Sequence, residues 1–311
     1  MDKRPLVLRR SLTDWLLLAG LVLFWGSSFA LTKIAVASIA PLWVVALRLG
    51  IAAVLLSAVA LTRGLRVPGD WRSWTWFGWL ALTGSFAPFL LISWGTQYID
   101  SGLAGILISA VPIFVVSFGH VMLPDEPMNR FKVAGFTLGM VGVVALIGPD
   151  RLMHFATGGI ALLAEMAVLA ATVSYALQAV TARLMRPMSV TIRAASVLMV
   201  SAAFSLGMAL TLSPNGLAAA TPGALAATVG LGVFPTALGA LALFRLLDRA
   251  GAGFVSTSNY LIPAVAVLIG TVFLGEQLEW RALAGLALIL AGIALSERRR
   301  ALRRPPQPPL R

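Results

Sequence analysis

Cysteine is absent, which excludes disulfides, thiolate metal sites and cysteine nucleophiles. Charge is scarce too. Only 12% of the 311 residues are Asp, Glu, Lys or Arg, against about 25% in soluble domains. That leaves too little polar surface to cover a water-facing globule. Histidine is nearly missing: His120 and His154 lie far apart, near the ends of apolar segments, without metal-ligand spacing. No metal and no cofactor are expected. Aspartate is lacking away from the ends of the apolar segments. A membrane-embedded hydrolase would need paired aspartates, a Ser/His pair or a metal, and none is offered. A channel would need rings of like residues or a filter loop, and neither is visible. The expectation is a protein that is not an enzyme.

What the chain has in excess is apolar sequence: 59% hydrophobic residues and a mean hydropathy of +0.91. The bilayer is therefore its solvent, and each crossing needs about 20 apolar residues that satisfy their own backbone hydrogen bonds. Ten such stretches lie at 12–33, 41–62, 73–98, 102–122, 131–148, 158–182, 190–212, 222–247, 252–274 and 281–297. The connections are short and rich in Pro, Gly and charge. Residues 1–10 are basic, and the apolar run after them continues through Trp25 and Lys33 with no small-residue cleavage site, so an uncleaved first helix is expected. Residues 298–311 read as a basic, proline-rich tail.

Net charge is +12. Because the basic residues flank apolar runs, the partners expected are membrane lipids and not nucleic acid. With a cytoplasmic N-terminus, twenty Lys and Arg fall on inside segments and three on outside segments. The expected location is the inner (plasma) membrane, multi-pass, with both termini cytoplasmic.

The chain repeats itself. Ser101 to Pro112, Glu126, Ala134-Gly135 and Gly142 return as Ala252 to Pro263, Glu276, Ala284-Gly285 and Gly292. From Glu126 onward the shift is 150 residues. Five helices per half is odd, so the halves enter the membrane from opposite sides. Their charge biases run in antiphase, as that requires: Arg63, Arg66 and Arg72 have no basic counterparts in 213–222. The fold expected is all-α, ten transmembrane helices in two inverted-topology five-helix repeats, 12–148 and 158–297. Inverted repeats are a transporter architecture. Both halves lie in one chain, so a functional monomer is a plausible expectation.

This pattern resembles the drug/metabolite transporter superfamily, EamA type. The matching residues are Trp25-Gly26-Ser27-Ser28-Phe29, Arg48, Ser101-Gly102-Leu103-Ala104 through Pro112, the later copy ending at Pro263, Pro124-Asp125-Glu126, and Leu274-Gly275-Glu276-Gln277. Two copies in order carry the likeness; no single piece does. The resemblance implies a small-metabolite exporter working by alternating access, most similar to the aromatic amino-acid exporters. The alternative within the superfamily is a nucleotide-sugar or sugar-phosphate carrier, which would need several deep basic residues. Only Lys33 and Arg48 are candidates, and both lie near the outer ends of their helices.

Polar residues within apolar helices are costly and are the first functional candidates. Arg48 and Glu165 each lie about seven residues into a helix entering from the outside, so a pair across the two halves is one expectation; Lys33 is a third ionic candidate. On the third helix Phe86, Ser93 and Gln97 share one face, with Trp94 and Tyr98 beside it, and that face is expected to point inward. Trp25 and Ser28 on the first helix, Thr172 and Tyr175 on the sixth, and Ser256, Asn259 and Tyr260 on the ninth complete the expected cavity. Hydrogen bonding between helices is the plainer role for any one of these residues. Pro88, Pro112, Pro235 and Pro263 lie inside helices and are hinge candidates.

Overall fold

In a computed structural model of the chain the described residues are 11–124, 126–148 and 159–297. Arg151, His154 and the tail 298–311 lie outside them. The described residues form helices and no strand. Among them nine helices are long and apolar enough to cross a membrane: α1 Leu12–Val36, α2 Pro41–Thr62, α3 Trp71–Gly95, α4 Ser101–Met122, α5 Arg130–Ile147, α6 Gly159–Leu184, α7 Val190–Leu212, α8 Pro222–Ala250 and α9 Gly253–Leu274. A shorter apolar helix, α10 Trp280–Glu297, packs along α5. The ten match the stretches read from the sequence to within a few residues.

Local sequence explains where the helices begin. Ser11 and Asp14 form a reciprocal capping box on α1. Asp70 caps α3 and Asn129 caps α5 through their side-chain oxygens. Pro41 and Pro222 open α2 and α8, where a missing N–H costs nothing.

The packing displays the two-fold relation of the halves. Each half contributes the counterpart of the other's partner: α2 packs on α7, α5 on α10, α1 on α9, and α4 on α6. Between α5 and α10 the match reaches single residues. A Cβ on Gly135 would meet the Gly292 carbonyl oxygen at 2.5 Å, and one on Gly142 would meet that of Gly285 at 2.9 Å. Gly285 and Gly292 are the repeat counterparts of Gly135 and Gly142. Backbones this close exclude any side chain, which is how small residues drive helix association in lipid.

Two helices are not regular. In α3 residues Leu82–Phe86 form a π turn ahead of Pro88, and in α8 residues Gly232–Leu238 form one around Pro235. A π turn takes in one extra residue and turns the helix beyond it by about 100°. In α4 the helix breaks at Ser109-Ala110, just before Pro112. In α9 the break falls earlier, at Ser256-Thr257, and Pro263 sits within continuous helix.

Candidate functional site: a cavity between the two halves

The prolines of α3 and α8 free backbone carbonyls, and other groups take them up. Pro235 cannot donate to Leu231, so the Thr236 hydroxyl donates to that carbonyl instead, at 2.7 Å. The Pro235 carbonyl accepts from Trp25 Nε1 at 3.0 Å. In α3 the Thr83 carbonyl accepts from Ser174 Oγ at 2.8 Å. A helix from the opposite half thus supports each bend: α1 supports α8, and α6 supports α3.

Arg48 projects from α2 between these two bends. Its Nε donates to Thr236 Oγ1 at 2.8 Å, and its guanidinium lies 3.7 Å from the centre of the Phe89 ring. Thr236 and Phe89 are the residues directly after the two helix prolines. Arg48 is buried at 8% exposure, and its terminal nitrogens have no partner among the described residues. Tyr175 stands edge-on to Phe89, with ring centres 6.4 Å apart.

Around this group is a cavity of about 590 Å³. Every helix except α5 and α10 contributes to its wall, which is mainly apolar. Trp25, Phe89, Tyr175 and Phe244 supply aromatic surface; Arg48, Arg193, Gln178 and Asn259 are the larger polar groups. Several smaller hydroxyls are already committed: Ser28, Thr32 and Ser109 each donate to a carbonyl of their own helix. Gly84 keeps the wall open, since a Cβ there would run into Gln178 at 2.5 Å.

Among the described residues the cavity opens at one face only. α1 begins at this face and α10 ends there, so we term it the terminal face. The lining reaches Val190, the first residue of α7, and Leu247 near the end of α8, each 37% exposed. Toward the opposite face it stops below Thr32, which is 1% exposed. Above Thr32 lies an ionic seal. Gly275, at φ +67°, ends α9 in a left-handed turn and presents Glu276 to the start of α4. The Glu276 carboxylate accepts from Ser101 N–H (2.7 Å), Ser101 Oγ (2.9 Å) and Gly102 N–H (3.0 Å). Helix N-termini favour such a charge. Lys33 stands 3.8 Å from Glu276 and 3.2 Å from Asp100.

Of the residues picked from the sequence, Trp25, Ser28, Tyr175, Asn259, Arg48, Pro112, Pro235 and Pro263 line the cavity. Others do not. Phe86 packs edge-on against Phe204 of α7, with centroids 4.8 Å apart. Ser93 is buried between helices, and Gln97 and Tyr98 are exposed beyond the end of α3. Trp94 rests on Tyr98. The expected inward face of α3 is therefore one residue out of register: Ser85, Phe89 and Ile92 face the cavity. Thr172 is fully buried and donates to Val168 and Leu107 carbonyls. Ser256 caps its own turn and Tyr260 packs in the α4–α6 core. Pro88 is buried behind the α3 bend. Lys33 belongs to the seal. Glu165 is buried at 2% on α6, off the cavity wall, and forms no ion pair with Arg48. A hydroxyl and an aromatic face take the place that pairing would have filled. His120, in the last turn of α4, is likewise off the cavity wall and accepts from Met128 N–H through Nδ1.

Sequence reasoning missed Phe89, Thr236, Gln178 and Arg193. The first two carry a signal, since both follow a helix proline. Arg193 sits three residues inside an apolar stretch and is easily counted with the flanking loop.

A polar-pointed, largely apolar cavity, held between two inverted five-helix halves and sealed at one face, defines a membrane transporter. The comparisons with known proteins agree. The profile of the EamA-like transporter family matches twice, over residues 14–148 and 162–298. The chain belongs to that family. An uncharacterized transporter of Archaeoglobus fulgidus is 30% identical over 92% of this chain and 99% of its own. A probable terminal-alkyne amino-acid exporter of Streptantibioticus cattleyicolor is 29% identical over 91% and 93%. An uncharacterized inner membrane transporter of Escherichia coli (strain K12) is 26% identical over 90% of each. A crystal structure at 21% identity superposes with a TM-score of 0.64 over 92% of this chain and 98% of its own, which shows the fold.

Proposed function

We propose that the protein exports small apolar metabolites, amino acids with aromatic or other apolar side chains foremost, across the inner (plasma) membrane by alternating access. The observation that carries this reading is the aromatic-walled cavity of about 590 Å³ between the halves, a volume in the usual range for small-molecule sites. Trp25, Phe89 and Tyr175 suit a flat apolar side chain. Arg48 and Asn259 remain for the polar head; Gln97 drops out, being outside the cavity. The excess of Lys and Arg supports a cytoplasmic terminal face, and with that orientation the open mouth admits cytoplasmic solute. The relative described as an amino-acid exporter supports the same class.

A sugar-phosphate or nucleotide-sugar carrier is the weaker reading. A sugar needs many hydrogen-bonding partners, and most hydroxyls on this wall already serve their own helix. Glu165 stands off the wall, so transport by the facilitated route, without a proton gradient, fits best.

The test is counterflow of labelled tryptophan, phenylalanine, threonine and methionine in proteoliposomes, with and without a pH gradient. The expected result is movement of the aromatic compounds above that in empty liposomes, with no need for a gradient, and a loss of about tenfold in Phe89→Ala, for the ring surface removed. If folded protein moves no amino acid, this reading is wrong.

A further inference from the structure

We infer that the cavity selects a net organic anion, an apolar carboxylate carrying no charged amine, over the zwitterion or the cation of the same skeleton. This rests on the reading above that the cavity exports small apolar metabolites, and it shifts the preferred member of that class from the zwitterionic amino acid to the anion.

The charge of the wall carries the inference. Among the described residues two cations face the cavity. Arg48 lies at mid-depth, with only a hydroxyl and a ring beside it. Arg193 is half-buried at the mouth on α7 and has no hydrogen-bond or ionic partner among the described residues. No Asp, Glu or His is on the wall among the described residues. Of the carboxylates near either end, Asp100 and Glu276 belong to the seal, Asp14 pairs with Arg249, and Glu126 pairs with Lys132 and Arg183, while Asp248, next to Leu247 at the mouth, is exposed and off the wall. Glu165 is buried off the wall.

A buried charge needs a counter-charge or water. For Arg48 the described residues provide neither a carboxylate nor a backbone carbonyl, so water from the open mouth solvates it when the cavity is empty, and a ligand that displaces this water must bring the counter-charge. The guanidinium is a planar fork, and a carboxylate fits it through two parallel hydrogen bonds. An ammonium entering the same cavity would find only neutral acceptors, such as Asn259, Gln178 and Tyr175, with two positive charges nearby. Arg193 at the mouth attracts the anion, and Arg48 holds it at mid-depth.

The energetics of export agree. A carrier that moves an anion out of the cytoplasm moves net negative charge outward. An inside-negative membrane potential drives that step, so no coupled ion is required, and the described wall has no carboxylate to bind one.

The experiment compares three compounds with one skeleton in proteoliposomes at neutral pH: N-acetylphenylalanine (anion), phenylalanine (zwitterion) and phenethylamine (cation, as competitor only). Membrane potential is set with potassium and valinomycin. The expected result is uptake of N-acetylphenylalanine at least tenfold faster than phenylalanine, faster with the lumen positive and slower with it negative. Phenylalanine uptake ignores the potential, and phenethylamine does not compete. Arg48→Gln loses the tenfold preference. Should that variant fail to fold, Arg193→Gln at the half-buried mouth still reports, lowering anion uptake severalfold and phenylalanine uptake less, so that the ratio of the two falls. Phenylalanine moving as fast as its acetylated form, or anion uptake indifferent to potential, overturns the inference and leaves the amino-acid reading standing. Anion uptake without phenylalanine uptake supports the inference and removes the amino-acid reading. If neither compound moves, both fall.

Discussion

The two glutamates that the repeat places 150 residues apart, Glu126 and Glu276, have different surroundings at the two faces. Glu276 is 7% exposed, and three donors from the other half, two of them backbone N–H groups, converge on its carboxylate. Glu126 pairs with Lys132 on its own half at 3.0 Å and with Arg183 on the other at 3.1 Å, and Arg183 is half-exposed. Both ties cross between halves, but they differ in kind. Hydrogen bonds to a buried charge contribute about 1.5–3 kcal/mol each, whereas an exposed ion pair contributes about 0.2–1 kcal/mol. The face with the buried tie is closed, and the face with the exposed tie has the open mouth. Within one pseudo-symmetric molecule, burial of the tie accompanies closure of the face.

The largest effect is therefore expected at Glu276. The chain has no cysteine, so a single introduced thiol reports access without background. Thr32→Cys sits under the seal at a position 1% exposed. Adding Glu276→Gln puts an NH2 that cannot accept in place of one carboxylate oxygen, so at least one of the three hydrogen bonds is lost and the rest weaken with the charge gone. Labelling of the thiol at position 32 by an impermeant maleimide from the opposite face should rise by tenfold or more, since about 1.4 kcal/mol is a factor of ten. An unchanged rate would mean that Glu276 does not hold this face shut.

Next comes Thr236→Val, which tests the cavity between the two ends. The substitution keeps the shape and removes the acceptor of Arg48 Nε along with the hydroxyl that serves the Leu231 carbonyl. A buried donor left unsatisfied costs about 1–3 kcal/mol. Transport should fall about tenfold while labelling under the seal, measured in the Thr32→Cys background, stays at its starting value. A change in both would mean that Thr236 acts on the seal and not on Arg48.

The seal has a weaker component in Lys33. Its pair with Asp100 is part-exposed on both sides, at 31% and 42%. Lys33→Met should raise labelling of the same introduced thiol only about two- to threefold, in line with a screened pair. An effect as large as that of Glu276→Gln would make Lys33, and not the helix start, the principal anchor.

Much of this comparison is legible in the sequence, and the part that is not has a physical cause. The ten helices follow from apolar length, and the inverted relation follows from the repeated glutamates and the antiphase charges. Trp25, Tyr175 and Arg48 are found by asking which large or charged residues lie inside apolar runs. The α3 face fails for two reasons. Ser93 and Gln97 look like cavity residues because they are polar, yet one is buried between helices and the other lies past the helix end. The π turn ahead of Pro88 also resets the register, so a regular 3.6-residue period selects the wrong side. The seal is legible only in part. Glu276 stands out as a repeated residue at a helix end, but its three donors belong to a helix start 175 residues earlier in the chain, and local pattern has no access to that distance.

The smallest effect is expected at the other face. Arg183→Ala removes the cross-half tie of Glu126 but leaves its 3.0 Å pair with Lys132 in place. The lost pair is half-exposed and adjoins a mouth that is already open, so its removal exposes nothing new. Labelling of a thiol introduced by Val190→Cys, at a wall position 37% exposed, should change by less than about twofold, within the worth of an exposed pair. Raising the salt concentration in the presence of Arg183 should have a similarly small effect, because ions screen this pair directly. The same salt should raise labelling of the thiol under the seal by no more than the two- to threefold expected for Lys33→Met, since it screens the Lys33–Asp100 pair while Glu276 is held from within a buried site. If Arg183→Ala changes access at the terminal face as strongly as Glu276→Gln does at the opposite face, the two ties are equivalent, and burial does not explain which face is closed.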